Sequence, residues 1–151
     1  MKHLTKDLAA VPKVIAGLAA GHNDARLTWR ADDKTWSASD VLAHLRSCAA
    51  VRGKWMAAIL ERDHPTIRAV SPRSAFRKYV DRDFAVSLKE FADERAALVK
   101  RLRTLDDAGW TRGLTFTGAS PRSTEMTLLQ CATAMLQHEH VHVDQIREVL
   151  G

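Results

Sequence analysis

The segment from Thr127 to Gly151 constrains this chain more than any other, because a single apolar stripe runs through it and carries two histidines. Leu128, Cys131, Met135, His138, His142 and either Ile146 or Gln145 recur at three- and four-residue steps. At 3.6 residues per turn that spacing is one face of a long helix. His138 and His142 fall about 40° apart around such a helix and about 6 Å apart along it, so their imidazoles can converge on one ion. His140 points about 200° away from His138 and belongs to the outer or partner-facing surface. A buried pair of imidazoles needs either a full set of hydrogen bonds or a shared cation. Two ligands do not close a metal site, so the third must come from elsewhere.

Composition narrows the setting. A chain of 151 residues is long enough to bury one core, and residues 1–151 are read as a single domain. No apolar run approaches a membrane span, and Met1-Lys2-His3 leads into no signal-peptide core. The expectation is a cytoplasmic protein with no membrane partner. The net charge of +5 raises the question of nucleic acid, yet Lys and Arg are spread along the chain with no dense tract interleaved with aromatics. Arg68, Arg73, Arg77, Lys78 and Arg82 form the densest basic group. They read as a solvated face, compatible with an anionic small-molecule substrate and not with nucleic acid. Cys48 and Cys131 lie in helical apolar patterns without a CxxC partner and read as reduced core thiols.

Taken in order, Leu4, Leu8, Val11, Val14 or Ile15, and Leu18 mark a first helix that either begins near Pro12 or is kinked there, and ends at Gly21. Asn23 to Lys34 is polar linker with room for a single turn. Ser37-Ala38-Ser39-Asp40 then has the form of a capping box, with Trp36 and Val41 as a hydrophobic staple. The second helix runs through His44 or Leu45, Cys48, Val51 or Arg52, Trp55 and Ile59 to Asp63-His64-Pro65, and puts His44 on its inner stripe. From Asp63 to Arg82 the chain reads as a long crossover with one short helix from Pro72 to Tyr79. Phe84 to Leu105 carry the third helix, and Trp110 to Pro121 a loop or small hairpin. Thr127-Leu128-Leu129-Gln130 is a second capping box that opens the terminal helix.

The expected fold is all-α, a four-helix bundle running up-down-down-up with a long crossover between helices 2 and 3. In that arrangement the second and fourth helices are antiparallel neighbours, and His44 comes level with His138 and His142. Three imidazoles around a tetrahedral ion leave one position open, as at catalytic rather than structural zinc. Zinc, nickel and iron(II) all suit such a donor set. His3, His22 and His64 read as solvated. Trp29 and Trp110, both placed in loops, either pack in the core or line a pocket mouth.

The run Trp36-Ser37-Ala38-x-Asp-Val-Leu-Ala43-His44-Leu45, with His138-x-x-x-His142-Val-Asp-Gln145-Ile146 far downstream, resembles the DinB/YfiT-like superfamily. Trp29-Arg30 and the Trp110 loop fall in family order, so the resemblance covers most of the chain. It implies a metal held by His44, His138 and His142, frequent homodimers, and a low-molecular-weight thiol such as bacillithiol or mycothiol as cosubstrate. The implied activity is a metal-dependent, thiol-dependent transferase, or a related hydrolase or isomerase, acting on a small electrophile. The competing readings are a non-catalytic metal- or ligand-binding stress-response bundle, and structural histidines with no metal. The chain departs from the family pattern a few positions after His44-Leu45, where an acidic residue is common and Arg46-Ser47-Cys48-Ala49-Ala50 stands instead. Cys48, one turn beyond His44, either approaches the ion or fills the core as a small side chain.

Overall fold

A computed structural model describes residues 1–70, 73–118 and 124–151. Four long helices dominate it: α1 (Lys2–Ala19), α3 (Ala38–Glu61), α5 (Phe84–Leu102) and α7 (Leu128–Leu150). Between them lie the short helices α2 (Asp24–Thr28), α4 (Arg73–Phe76) and α6 (Asp107–Thr111), and the strands β1 (Thr66–Arg68), β2 (Gly113–Thr117) and β3 (Thr124–Thr127). No helix among the described residues is long and apolar enough to cross a membrane.

The helix starts are set locally. The Ser37 side chain accepts from the Asp40 backbone while Asp40 accepts from the Ser37 backbone, and Thr127 and Gln130 repeat the exchange at the head of α7. Each pair satisfies two backbone donors that a helix leaves without partners. At the end of α1, Gly21 takes a positive φ of 82°, the left-handed conformation in which a Cβ is penalised.

Pro12 does not start the first helix, the first of the two sequence expectations; α1 is continuous from Lys2 to Ala19 with Pro12 inside it. A proline in a helix interior leaves the carbonyl four residues earlier without its donor. That carbonyl is Leu8's, and Arg95 Nη1, reaching from α5, donates to it at 3.2 Å. A partner 87 positions away removes part of the penalty.

The core has two lobes. Val11, Ile15, Leu42, Leu45, Phe91, Val143 and Ile146 belong to one, and Leu8, Met56, Ile59, Val99, Leu102, Leu114, Leu128 and Met135 to the other. Trp110 joins the second lobe at 2% exposure, so it lies in the core and not at a pocket mouth. Trp29 is half exposed, with the Arg26 guanidinium 5.1 Å above its ring.

An all-α fold was the expectation, and a small sheet corrects it. β2 and β3 pair antiparallel as a hairpin, and β1 pairs parallel with β2 in the order β1-β2-β3. β1 is three residues long, too short for a period-two pattern, and its partner lies 49 positions downstream (Thr66 with Thr115), so no local signal marks it. In the crossover, the short helix covers only Arg73–Phe76. Pro72 and Pro121, used above as boundaries, lie outside the described residues.

Candidate metal centre

His44 projects from the first half of α3 and His138 and His142 from the middle of α7, and the three meet. One ring nitrogen from each lies within 4.8 Å of the others. His44 Nε2 and His138 Nε2 stand 3.1 Å apart, and the ring centroids are separated by 4.5 to 5.1 Å. All three side chains are half-buried. His140 is exposed on the opposite side of α7. His3 is exposed as well, and His64 sits at the surface with Nε2 3.0 Å from the Thr115 hydroxyl.

The donor chemistry suits a divalent cation. Burial first, then the neighbouring His142 and the Arg52 charge, push the His44 imidazolium down to about 4. Burial and the Arg52 charge, followed by its two neighbouring histidines, do the same for His138. Both rings are therefore neutral at neutral pH and offer lone pairs. His142 Nδ1 lies 2.8 Å from Gln145 Oε1, an acceptor, so Nδ1 carries the proton and Nε2 is left free. Ligands of a tetrahedral ion with bonds of 2.0–2.1 Å are about 3.3 Å apart. The 3.1 Å between His44 and His138 is close to that edge.

Around the triad, Trp36 does more than staple a helix. Its ring packs against His44 at 5.0 Å and His142 at 6.4 Å, and Phe76 of α4 stacks on it at 6.0 Å. The residue that precedes the α3 cap thus forms the apolar wall of the site. Asp40 fixes its position: Arg30 donates two hydrogen bonds of 2.7 Å to the carboxylate, and the Ser37 backbone and hydroxyl donate two more. Burial acts to raise Asp40, but these donors hold it below the usual carboxylate range.

Cys48 comes close without joining the set. Its Sγ is 3.6 Å from His44 Nε2, and burial raises its thiol pKa. Arg46, in the stretch after His44-Leu45 that departs from the resembled family, is directed to α5 and the crossover. It is buried under the crossover, pairs with Glu90 at 2.6 Å and Glu94 at 2.9 Å, and stacks on Tyr79. Glu139, next to His138, points into the core and pairs with Arg95. Arg68 and Lys78 of the basic group line a cavity of about 610 Å³ with Lys54 and Arg62, between α3 and the crossover. Arg82 instead pairs with Glu90.

Trp36, Phe76, Gln145 and Arg52 had not been assigned to the site from sequence. Gln145 had a signal, since it follows His142 by three residues and shares its helix face. Phe76 had none, because its contact depends on where the crossover lies.

The DinB superfamily model matches residues 7–146, both halves of the triad included. This chain belongs to the DinB superfamily. Among solved structures it is similar to YfiT from Bacillus subtilis, a probable metal-dependent hydrolase with an unusual four-helix bundle topology. The identity is 21%, the TM-score 0.82, and the match covers 98% of this chain and 84% of that one. That likeness places the DinB chain among four-helix bundles. No curated protein sequence matches it.

Proposed function

We propose that His44, His138 and His142 hold a divalent metal ion in a DinB-type enzyme that activates a thiol or water for attack on a small electrophile. The convergence of three ring nitrogens within 4.8 Å, on two helices 94 residues apart in sequence, carries this reading. The likeness to YfiT, a probable metal-dependent hydrolase, supports the water-activating form, and the family resemblance supports a low-molecular-weight thiol. A metal bound there supplies Lewis acidity and lowers the pKa of a thiol or water at its open position.

The protein's own residues do the rest. Neutral His44 and His138 present lone pairs at neutral pH, and Gln145 fixes the tautomer of His142. Trp36, backed by Phe76, shields one side from water. Glu139 is committed to Arg95 and is not free to act as a base. An up-down-down-up chain path belongs to the same reading. Arg46 of α3 meets Glu90 and Glu94 near the start of α5, whereas Trp36 and His44 meet His142 and His138 in reverse order. So does a homodimer, for which exposed Val14 and Val141 on α1 and α7 offer apolar surface. A light-scattering mass of one 16.8 kDa chain would exclude it.

Elemental analysis of gently purified protein tests the centre. One zinc, nickel or iron per chain, lost in His44→Ala, is the expected result. Protein that takes up none of them would leave the 3.1 Å His44–His138 contact as a structural hydrogen bond. A panel of thiols and electrophiles then separates an enzyme from a binding module.

A further inference from the structure

One cation without a carboxylate partner bears on the triad: the Arg52 charge reaches both His44 and His138, whereas Glu139, whose charge reaches Cys48, is already held by Arg95. Arg52 lies two turns beyond His44 on the stripe His44, Cys48, Arg52. Its charge also reaches Cys48 on α3 and Cys131 on α7.

Other buried or half-buried guanidiniums among the described residues have acceptors. Arg46 is held by Glu90 and Glu94 and Arg95 by Glu139, while Arg26 donates to the Val149 carbonyl and Arg112 to those of Leu60 and Arg62. Arg52 has no ion pair among the described residues, and its Nη1 is buried without a hydrogen-bond partner. A buried N–H of a charged group left unmatched is costly. A divalent ion on the triad raises that cost, since Glu139, the carboxylate next to His138, is already committed to Arg95. One ligand feature removes both penalties, a negative charge on the bound molecule.

We propose that Arg52 is the specificity-determining residue of the site and binds a carboxylate of the substrate or cosubstrate whose reacting end lies at the triad. A single unpaired guanidinium matches one planar monoanion through paired N–H donors. The ligand class is thus a small carboxylic acid carrying a thiol or an electrophilic centre. The assignment rests on the metal reading above.

The test uses the full-length protein loaded with cobalt(II), whose thiolate charge-transfer band reports sulfur binding. It is titrated with 3-mercaptopropionate and with 3-mercapto-1-propanol, which differ in the carboxylate. The acid is expected to bind at least about tenfold more tightly. Arg52→Gln should abolish the preference at unchanged cobalt content, and Arg52→Lys should restore part of it. Equal affinities in the parent protein, silence from both thiols at millimolar concentration, or a preference that survives Arg52→Gln would overturn the assignment. Failure to take up cobalt would instead remove the metal reading and this assignment with it. A second measurement needs no metal: in metal-free protein Arg52→Met should leave the melting temperature unchanged or higher, because an unmatched buried donor is removed. A marked fall would show that Arg52 is structural.

Discussion

Glu139 accepts both terminal nitrogens of Arg95, at 2.7 and 2.5 Å, with each side chain 3% exposed or less. The pair sits where the two core lobes meet, since Phe91 and Val99 flank Arg95 in different lobes and Met135 and Val143 flank Glu139 likewise. It also stands one residue from a candidate metal ligand. Removing one partner leaves an uncompensated buried charge, so Glu139→Ala should cost about 3–5 kcal/mol. Replacing both by apolar residues, Arg95→Met with Glu139→Leu, should cost much less, although the Leu8 carbonyl then loses its donor. Urea unfolding of the single and double variants checks this. A double variant as unstable as Glu139→Ala would contradict it.

The assignment of ligands on α7 predicts a pattern among three histidines. His138→Ala and His142→Ala each remove a donor, while His140→Ala removes none. Two imidazoles rarely hold a divalent ion in water, and binding to the native state alone stabilises by RT ln(1 + [L]/Kd). The rise in melting temperature on adding zinc should therefore disappear at 138 and 142 and persist at 140. Equal zinc dependence in all three would refute the ligand set.

Asp40 predicts an acid limb. Its folded pKa lies below the unfolded value, so its contribution is complete above about pH 4 and is lost as pH falls through the folded value. The melting-temperature gap between the parent protein and Asp40→Asn should be largest near neutrality and shrink below about pH 4. A gap that is constant down to pH 2 would mean that the carboxylate's charge does not stabilise the fold.

The two thiols should behave as buried, reduced groups. Burial raises both pKa values, that of Cys131 to about 11. Neither should react with a thiol reagent at pH 7 in native protein, and both should react in denaturant without reductant. Quantitative loss of both thiols to an intramolecular disulfide would contradict the helix register that brings His44 to His138.

What the sequence made legible obeyed local rules. Ser37 with Asp40 and Thr127 with Gln130 are three residues apart, and His138 with His142 four apart, so one turn of helix fixes each relationship. The third ligand was legible because His44 falls on the same kind of stripe as its partners. What stayed hidden depended on distant partners. Arg95 accommodates Pro12 from another helix, β2 creates β1 from 49 positions downstream, and Phe76 reaches Trp36 only because the crossover returns over α3. Arg52 read as one of two stripe candidates, and the missing carboxylate that distinguishes it is visible only in three dimensions.

The join between β3 and α7 restricts changes in chain length. Thr127 is both the last residue of β3, paired with Gly113, and the cap of α7, and Leu128 N donates to the Arg112 carbonyl at 2.7 Å. No slack separates strand from helix, so the hairpin sets the rotational phase of the terminal helix. One residue inserted between Leu128 and His138 would turn both α7 histidines about 100° from His44. The same insertion after Gln145 would leave all three in place. Homologous chains that keep the triad should therefore hold a constant spacing from the Thr127 cap through His142.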